Sequence, residues 1–318
     1  CSNDHNKDER LCRMYPLTLK LPKVAVLLAT YNGEDYLIEQ LDSIFSQIGV
    51  SVTVYARDDG SSDSTVSLLK TYENQSGRLI LLKDIAGGGS AALNFREIIL
   101  NVDVSEYSCV CFADQDDIWL PEKIRSGLEK VAGGCDLYSS SLTSFSEGNS
   151  SLETIKGRVI FKEYDYLFQG LSAGCTYILS PSFYSFVKFQ IENNKDVLDD
   201  GFSHDWLIYT MARSFKYIIY HDSSSKILYR QHRSNVQGSL IGIQGVFYRA
   251  KNIWAHWYYG QIMFNSNFIK NTPDEVIILN SLKSKDIVFL LGNFLKFRRG
   301  FLECVALLIF SLLRKRND

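Results

Sequence analysis

Residues 109–113, Cys-Val-Cys-Phe-Ala, form an unbroken apolar run that ends in Asp114-Gln115-Asp116-Asp117, and Trp119 closes the segment. A short continuous apolar run suits a strand buried on both faces of a sheet. Three carboxylates within four residues at its end place like charges side by side, which is unfavourable unless something neutralises them. A hard divalent cation does so, and Mg²⁺ or Mn²⁺ typically takes one or two carboxylates plus substrate phosphates. An acidic turn opening a helix near Pro121, with Asp117 as a solvated first residue, satisfies the same letters. On this segment alone both readings stay open.

The same apolar-run-then-polar pattern recurs upstream. Residues 23–29 form a first run, ending in Thr30-Tyr31-Asn32-Gly33, after which Leu37, Leu41, Ile44 and Phe45 recur at helical spacing. Residues 51–56 form a second, closing in Arg57-Asp58-Asp59-Gly60-Ser61-Ser62-Asp63. There Ser62 or Asp63 is expected to cap a helix carrying Val66, Leu69 and Tyr72. A third run, 78–82, precedes Gly87-Gly88-Gly89-Ser90 and a helix through Leu93, Ile98 and Ile99. The alternation predicts the α/β class: an open, mostly parallel sheet flanked by helices. Ligands sit at the carboxyl ends of strands in such sheets. Residues 30–33, 57–59, 83–89 and 114–117 all lie there and should face one crevice. No GxGxxG follows the first strand and no GxxxxGK[ST] occurs, so neither a dinucleotide fingerprint nor a P-loop is present. The glycine triplet is a flexible turn or a phosphate cradle at a helix N-terminus.

With 318 residues, 46% of them hydrophobic, the chain can bury a sizeable core. A net charge of −2 provides no general field for nucleic acid. Seven cysteines without a CxxC pair suggest free thiols in a reducing compartment, not a disulfide framework or zinc site. Residues 1–13 are polar and charged with no apolar stretch. Residues 1–22 are therefore expected to be a disordered leader, with Met14 as a natural start.

Together, Ala29-Thr30-Tyr31-Asn32-Gly33, Asp58-Asp59-Gly60-Ser61-Ser62-Asp63 and Asp114-Gln115-Asp116-Asp117 resemble the family 2 glycosyltransferases of the GT-A fold, over about residues 23–238. Within that family the chain looks most like bacterial polysaccharide enzymes described as rhamnosyltransferases. Those carry an HDW element, here His204-Asp205-Trp206, and a late YRQH-x-x-N element, here Tyr229-Arg230-Gln231-His232-Arg233-Ser234-Asn235. The resemblance implies that Thr30, Asn32, Asp58 and Asp59 hold the nucleotide's base and ribose, with Asn94 near the donor. It makes Asp114 and Asp116 the DxD pair, where Asp116 binds Mg²⁺ or Mn²⁺, Asp114 faces donor and metal, and Asp117 assists. Asp205 matches the catalytic base, and Arg230 and His232 a loop closing over the donor diphosphate. Arg233 departs from the pattern, since relatives usually have glycine there. The glycine triplet is also looser than the usual asparagine-containing phosphate-side loop.

A nucleotide diphosphate leaves readily only when its growing negative charge is met, and a metal at Asp116 with Arg230 nearby would meet it. The attacking acceptor hydroxyl must lose its proton, and a carboxylate such as Asp205 within hydrogen-bond reach can take it. The expected reaction is one in-line displacement with inversion at the anomeric carbon. Taken singly, Asp205 is also an ordinary helix N-cap, His232 a structural histidine, and Trp119 a core aromatic or a sugar-stacking face. Residues 170–176, rich in small side chains, match an acceptor-side loop of the family or a tight turn into a strand.

Residues 239–318 are expected to form a helical C-terminal region. Phe247, Tyr248, Ile253, Trp254, Trp257, Tyr258, Tyr259, Met263 and Phe264 suggest one aromatic-rich helix, and 287–291 and 305–313 are apolar runs. Lys296, Arg298, Arg299, Arg314, Lys315 and Arg316 flank them. The longer run is too short to span a bilayer comfortably but suits a helix lying on an anionic membrane surface. Packing onto the catalytic domain, or onto a second copy, is the alternative. The expected enzyme takes a nucleotide-diphosphate sugar, dTDP-rhamnose first and UDP-hexoses next. It acts on a saccharide of a cell-surface polysaccharide or its lipid-linked precursor, at the cytoplasmic face of the cell membrane. The rival is a non-catalytic nucleotide-sugar binder or scaffold subunit of a polysaccharide assembly complex.

Overall fold

The computed structural model describes residues 20–83, 89–146, 149–155, 159–194, 202–232 and 257–313. The expected leader before residue 20, Gly87 and Gly88, Arg233 to Asn235, Phe247, Tyr248, Ile253, Trp254 and Arg314 to Arg316 lie outside the described residues.

The expected β-α-β-α-β-α-β unit is present. The strands are β1 (Lys23–Thr30), β2 (Ser51–Asp58), β3 (Leu79–Leu81) and β4 (Cys109–Ala113); the helices between them are α1 (Leu37–Phe45), α2 (Thr65–Ser76) and α3 (Ala91–Asn101). Every residue of β1 after Lys23 and every residue of β4 is buried, as an apolar run covered by helices on both faces should be. These strands pair in parallel in the order β3-β2-β1-β4. Asp63 does not become the N-cap residue of α2, which is Ser64. Its carboxylate instead accepts from the Thr65 amide at 3.0 Å and hydroxyl at 2.5 Å, in an Asx-type turn.

Beyond β4 the sheet becomes mixed. The remaining strands are β5 (Ile118–Trp119), β6 (Leu137–Ser146), β7 (Asn149–Ile155), β8 (Ile178–Leu179) and β9 (Ile219–Gln231). The helices in this half are α4 (Lys123–Ala132), α5 (Pro181–Asn193) and α6 (His204–Ser214). The two-residue β8 lies antiparallel between β4 and β6, β6 pairs in parallel with β9, and β9 pairs antiparallel with β5. The β5–β9 pairing, Ile118 opposite Leu228, has the decisive consequence. It lays the end of β9, with Arg230 and His232, across the acidic segment just before β5.

Among the described residues the buried apolar side chains form two clusters. One holds Val24, Leu41, Trp119, Ile124 and Tyr138. The other joins Phe95, Phe112, Tyr177 and Trp206 to Tyr258, Ile278, Leu290, Phe297 and Leu307 of the last third. The helices there are α7 (Trp257–Asn265), α8 (Pro273–Ser284), α9 (Ile287–Asn293) and α10 (Phe301–Leu313). Thr272 and Glu275 form a capping box at the start of α8. Among the described residues no helix is long and apolar enough to cross a membrane. Cys109, Cys111, Cys135, Cys175 and Cys304 are buried free thiols.

Candidate active site

The strand-end segments 30–33, 57–59 and 114–117 meet as the topology requires, and Gly89 joins them. At the end of β1, Thr30 donates its hydroxyl to Asp58 at 2.9 Å. Asn32 takes a left-handed φ of 46°. Its amide donates to Ser61 Oγ and its side-chain oxygen accepts from the Ser62 amide, both at 2.8 Å. The two aspartates at the end of β2 differ in task. Asp58 gathers its own turn, accepting from the Gly60 and Ser61 amides at 3.0 and 2.7 Å and from the Ser61 hydroxyl at 2.6 Å. Asp59 pairs with the fully buried Arg57 at 3.1 Å and accepts from the Gly89 amide at 2.9 Å. Asn94, on α3, lies beneath them: its oxygen accepts from Arg57 at 3.0 Å, and its nitrogen donates to the carbonyls of Thr30 and Arg57. It fixes the strand ends relative to one another.

The acidic segment is held by α1. Gln40 donates to the Asp114 carbonyl at 2.7 Å, and Ser43 Oγ accepts from the Trp119 amide at 3.0 Å. Beyond the helix end, Gln47 donates to the Leu120 carbonyl and accepts from the Ile124 amide. Spacing of three and four residues aims these polar side chains along one buried edge. Gln115 reaches the other way, to the backbone of Tyr31.

The three carboxylates point to different partners. Asp116 bonds His232 Nε2 at 2.8 Å, and its carbonyl accepts from Arg230 Nε at 3.0 Å. Arg230 is itself buried, paired with Glu39, and packed over the rings of Tyr36 and Phe145. Asp114 and Asp117 share a group with Cys175, their ligand atoms all within 4.8 Å of one another. Burial first, then Asp116 and Asp205, push Asp114 up to about 7. Asp117 is buried beside the Cys175 thiol, and burial followed by Asp114 pushes its carboxyl well up. Lys123, also fully buried, sits 3.4 Å over the Trp119 ring, and burial holds it below the usual ammonium range. Trp119 thus serves as a core aromatic carrying a cation–π contact.

Asp205 occupies the first turn of α6, not its cap position, which is Ser203. Its carboxylate accepts from the Ser203 hydroxyl and from the Trp206 amide at 2.7 Å. His204 tilts against Phe95 at 4.3 Å, and burial lowers its pKa. A Cβ on Gly174 would fall 2.4 Å from His204 Nε2, which explains the glycine. Tyr177 donates to the Asp205 carbonyl at 3.3 Å. The short turn Gly174–Thr176 therefore wedges between Asp205 and the acidic segment.

The last third locks this wedge from behind. Arg298 donates to the Phe168 carbonyl and to Tyr258. Arg299 donates to the carbonyls of Gly170 and Leu171 and lies 3.4 Å from the fully buried Asp165. Lys296 pairs with Glu163. Of the basic residues expected to flank a membrane helix, Arg298 and Arg299 are engaged inside the molecule, while Lys296 keeps its pair with Glu163 at the surface.

Thr30, Asn32, Asp58, Asp59, Asn94, Asp114, Asp116, Asp117, Asp205, Arg230 and His232 thus gather around one end of the sheet. Sequence reasoning overlooked Arg57, Gln115, Glu39 and the polar edge formed by Gln40 and Ser43 of α1 with Gln47 just beyond it. The polar triplet at helical spacing was the available signal. It also left Lys123 and Cys175 unassigned to the site.

Residues 25–191 match the protein-family model described as Glycosyl transferase family 2. Over 292 residues, 90% of this chain and 99% of the relative, the chain is 31% identical to the dTDP-rhamnosyl transferase RfbG of Shigella flexneri. It is 28% identical over 116 residues, 36% of this chain and 32% of the relative, to the succinoglycan biosynthesis protein ExoO of Rhizobium meliloti (strain 1021). Among solved structures, S. aureus TarS 1-349 in complex with UDP-GlcNAc aligns with a TM-score of 0.49 at 17% identity, over 83% of this chain and 76% of that one.

Proposed function

Because this chain belongs to glycosyltransferase family 2, we propose that it transfers rhamnose from dTDP-rhamnose, with inversion, to a hydroxyl of a cell-surface polysaccharide or its lipid-linked precursor. The observation that carries this reading is the meeting of Asp205 with the acidic segment: Tyr177 donates to the Asp205 carbonyl at 3.3 Å, and Cys175, two residues before Tyr177, lies within 4.8 Å of Asp114 and Asp117. A base and an anion-handling site at one crevice are what a displacement at a sugar diphosphate requires. The similarity to a relative named as a dTDP-rhamnosyl transferase over nearly its whole length supports the choice of donor.

In this reading Asn32 and Asp59 border the base and ribose, while Asp58, Thr30 and Asn94 hold those loops in place. Arg230 and His232, brought over Asp116 by β9, border the diphosphate, and Arg230 contributes positive charge as the leaving group departs. Asp205 takes the proton of the acceptor hydroxyl. Mg²⁺ or Mn²⁺ fits the residues present, because the acidic segment brings the carboxyl oxygens of Asp114 and Asp117 within 4.8 Å of one another; Asp114, Asp116 and Asp117 would hold it. When bound, such a cation neutralises charge developing on the diphosphate.

We place the enzyme on the inner face of the cell membrane. Val288 is 83% and Leu302 77% exposed, and Phe301, Leu291, Leu295 and Ile309 are exposed with them on α9, α10 and the segment between. So large an apolar surface suits an interface helix better than open solvent.

The donor is tested by thermal shift with dTDP-, UDP- and GDP-linked sugars, each with and without Mn²⁺. A ligand well above its dissociation constant raises the melting temperature. A metal-dependent shift specific to dTDP-rhamnose and absent in Asp116→Ala is expected. An equal response to UDP-hexoses would overturn the donor assignment.

A further inference from the structure

Arg230 stands near the end of β9, and only 4% of its side chain is exposed. Three contacts fix its guanidinium. Nε donates to the Asp116 carbonyl at 3.0 Å, and the group lies 4.6 Å from the centre of the Tyr36 ring and 4.8 Å from that of Phe145. A fourth contact is of a different kind: Nη2 donates to Glu39, in the first turn of α1, whose side chain is 57% exposed. The backbone carbonyl and the two rings already orient the guanidinium, so what Glu39 adds is charge. The next residue, Gln40, ties the same turn to the acidic segment by donating to the Asp114 carbonyl at 2.7 Å.

We propose that Glu39 acts through Arg230 as a built-in counter-charge that weakens the enzyme's hold on the nucleoside diphosphate. The proposal rests on the reading above that Arg230 borders the diphosphate. A guanidinium is always charged and binds phosphate oxygens strongly. Holding donor and product alike with that full charge would not speed the chemical step, and it would slow departure of the product. A diphosphate that reaches Arg230 meets a charge that Glu39 already partly neutralises, and the carboxylate itself repels the phosphate oxygens. Because Glu39 is more than half exposed, the effect is moderate and sensitive to salt.

The test titrates wild type, Glu39→Gln, Glu39→Ala and Arg230→Gln with dTDP in the presence of Mn²⁺, by calorimetry at low and at high salt. UDP is titrated in parallel, so that an error in the choice of base does not hide the effect. Glutamine keeps an oxygen that can accept from Arg230 and removes only the charge; alanine removes both. An exposed ion pair is worth up to about fivefold in an equilibrium constant. Both Glu39 variants should therefore bind the diphosphate about two- to fivefold more tightly at low salt, and the gain should shrink at high salt. Arg230→Gln should bind it about tenfold or more weakly, through loss of charge-assisted hydrogen bonds. A purely supporting role for Glu39 has the opposite sign. If both Glu39 variants bind the diphosphate as wild type does, or more weakly, while Arg230→Gln loses affinity, the counter-charge is wrong and the diphosphate role of Arg230 stands. If Arg230→Gln binds like wild type, or neither nucleotide binds wild type, that role falls and the proposal with it. A gain that persists unchanged at high salt is not electrostatic and also overturns the proposal.

Discussion

Gln115 holds both main-chain groups of Tyr31: its Oε1 accepts from the amide at 2.8 Å and its Nε2 donates to the carbonyl at 2.9 Å. One side chain thereby ties the loop after β1 to the acidic segment after β4. Space for it exists only because residue 33 is glycine, since a Cβ there would lie 2.3 Å from Gln115 Oε1.

Removing this clamp should loosen the donor site without touching the base. Two lost hydrogen bonds correspond to about 1–3 kcal/mol, so Gln115→Ala should weaken binding of the nucleotide-sugar donor about tenfold or more. Gly33→Ala should do the same by displacing Gln115. Calorimetric titration of both variants checks this; unchanged donor affinity in both would show that the two loops are positioned independently.

The alternation of apolar runs made the parallel half of the sheet legible, because strands buried on both faces have few other sequence solutions. The mixed half was not legible. A two-residue strand such as β8 has no periodicity, and its place depends on β6 and β9, far away in sequence. At the site, Asp58 and Asp59 look alike as letters, yet one organises a turn and the other pairs with Arg57. That difference arises from a partner on the same strand end and from Gly89 on another loop. Lys123 and Cys175 were hidden for a similar reason: α4 and the turn before β8 bring them beneath Asp117 only after the sheet has formed.

Asp205→Asn should keep the hydrogen bonds that Asp205 accepts from Ser203 and Trp206, because an amide oxygen can accept both. The variant should therefore fold and bind donor within about twofold of wild type. A positioned base is typically worth about 10²–10⁴-fold, and kcat should fall by at least that much. Transfer assays with a saccharide acceptor decide; retained turnover would move the base role away from Asp205.

Arg299 connects the helical last third to the crevice through the Gly170 and Leu171 carbonyls and Asp165. Asp165 keeps Arg213 at 2.9 Å when Arg299 is lost, so Arg299→Ala should lower stability by about 1–3 kcal/mol and leave the chain folded. The freed stretch adjoins Asp205 and not the nucleotide loops. Acceptor KM should rise several-fold while donor affinity stays constant. An effect on donor affinity of equal size would show that the arginine supports the whole domain and not the acceptor side.

The exposed apolar side chains of α9 and α10 make the membrane assignment testable apart from catalysis. Val288 and Leu302 are among the most exposed, and neither supports the site, so Val288→Glu with Leu302→Glu should leave donor-induced thermal shifts unchanged. Burial of each such side chain in the interface is worth about 1.5–3 kcal/mol, and a carboxylate is repelled by anionic lipid. Sedimentation with phosphatidylglycerol vesicles should therefore capture wild type and leave the double variant in solution. If wild type stays in solution as well, or the variant dimerises less readily than wild type, the apolar surface faces another protein surface and not lipid.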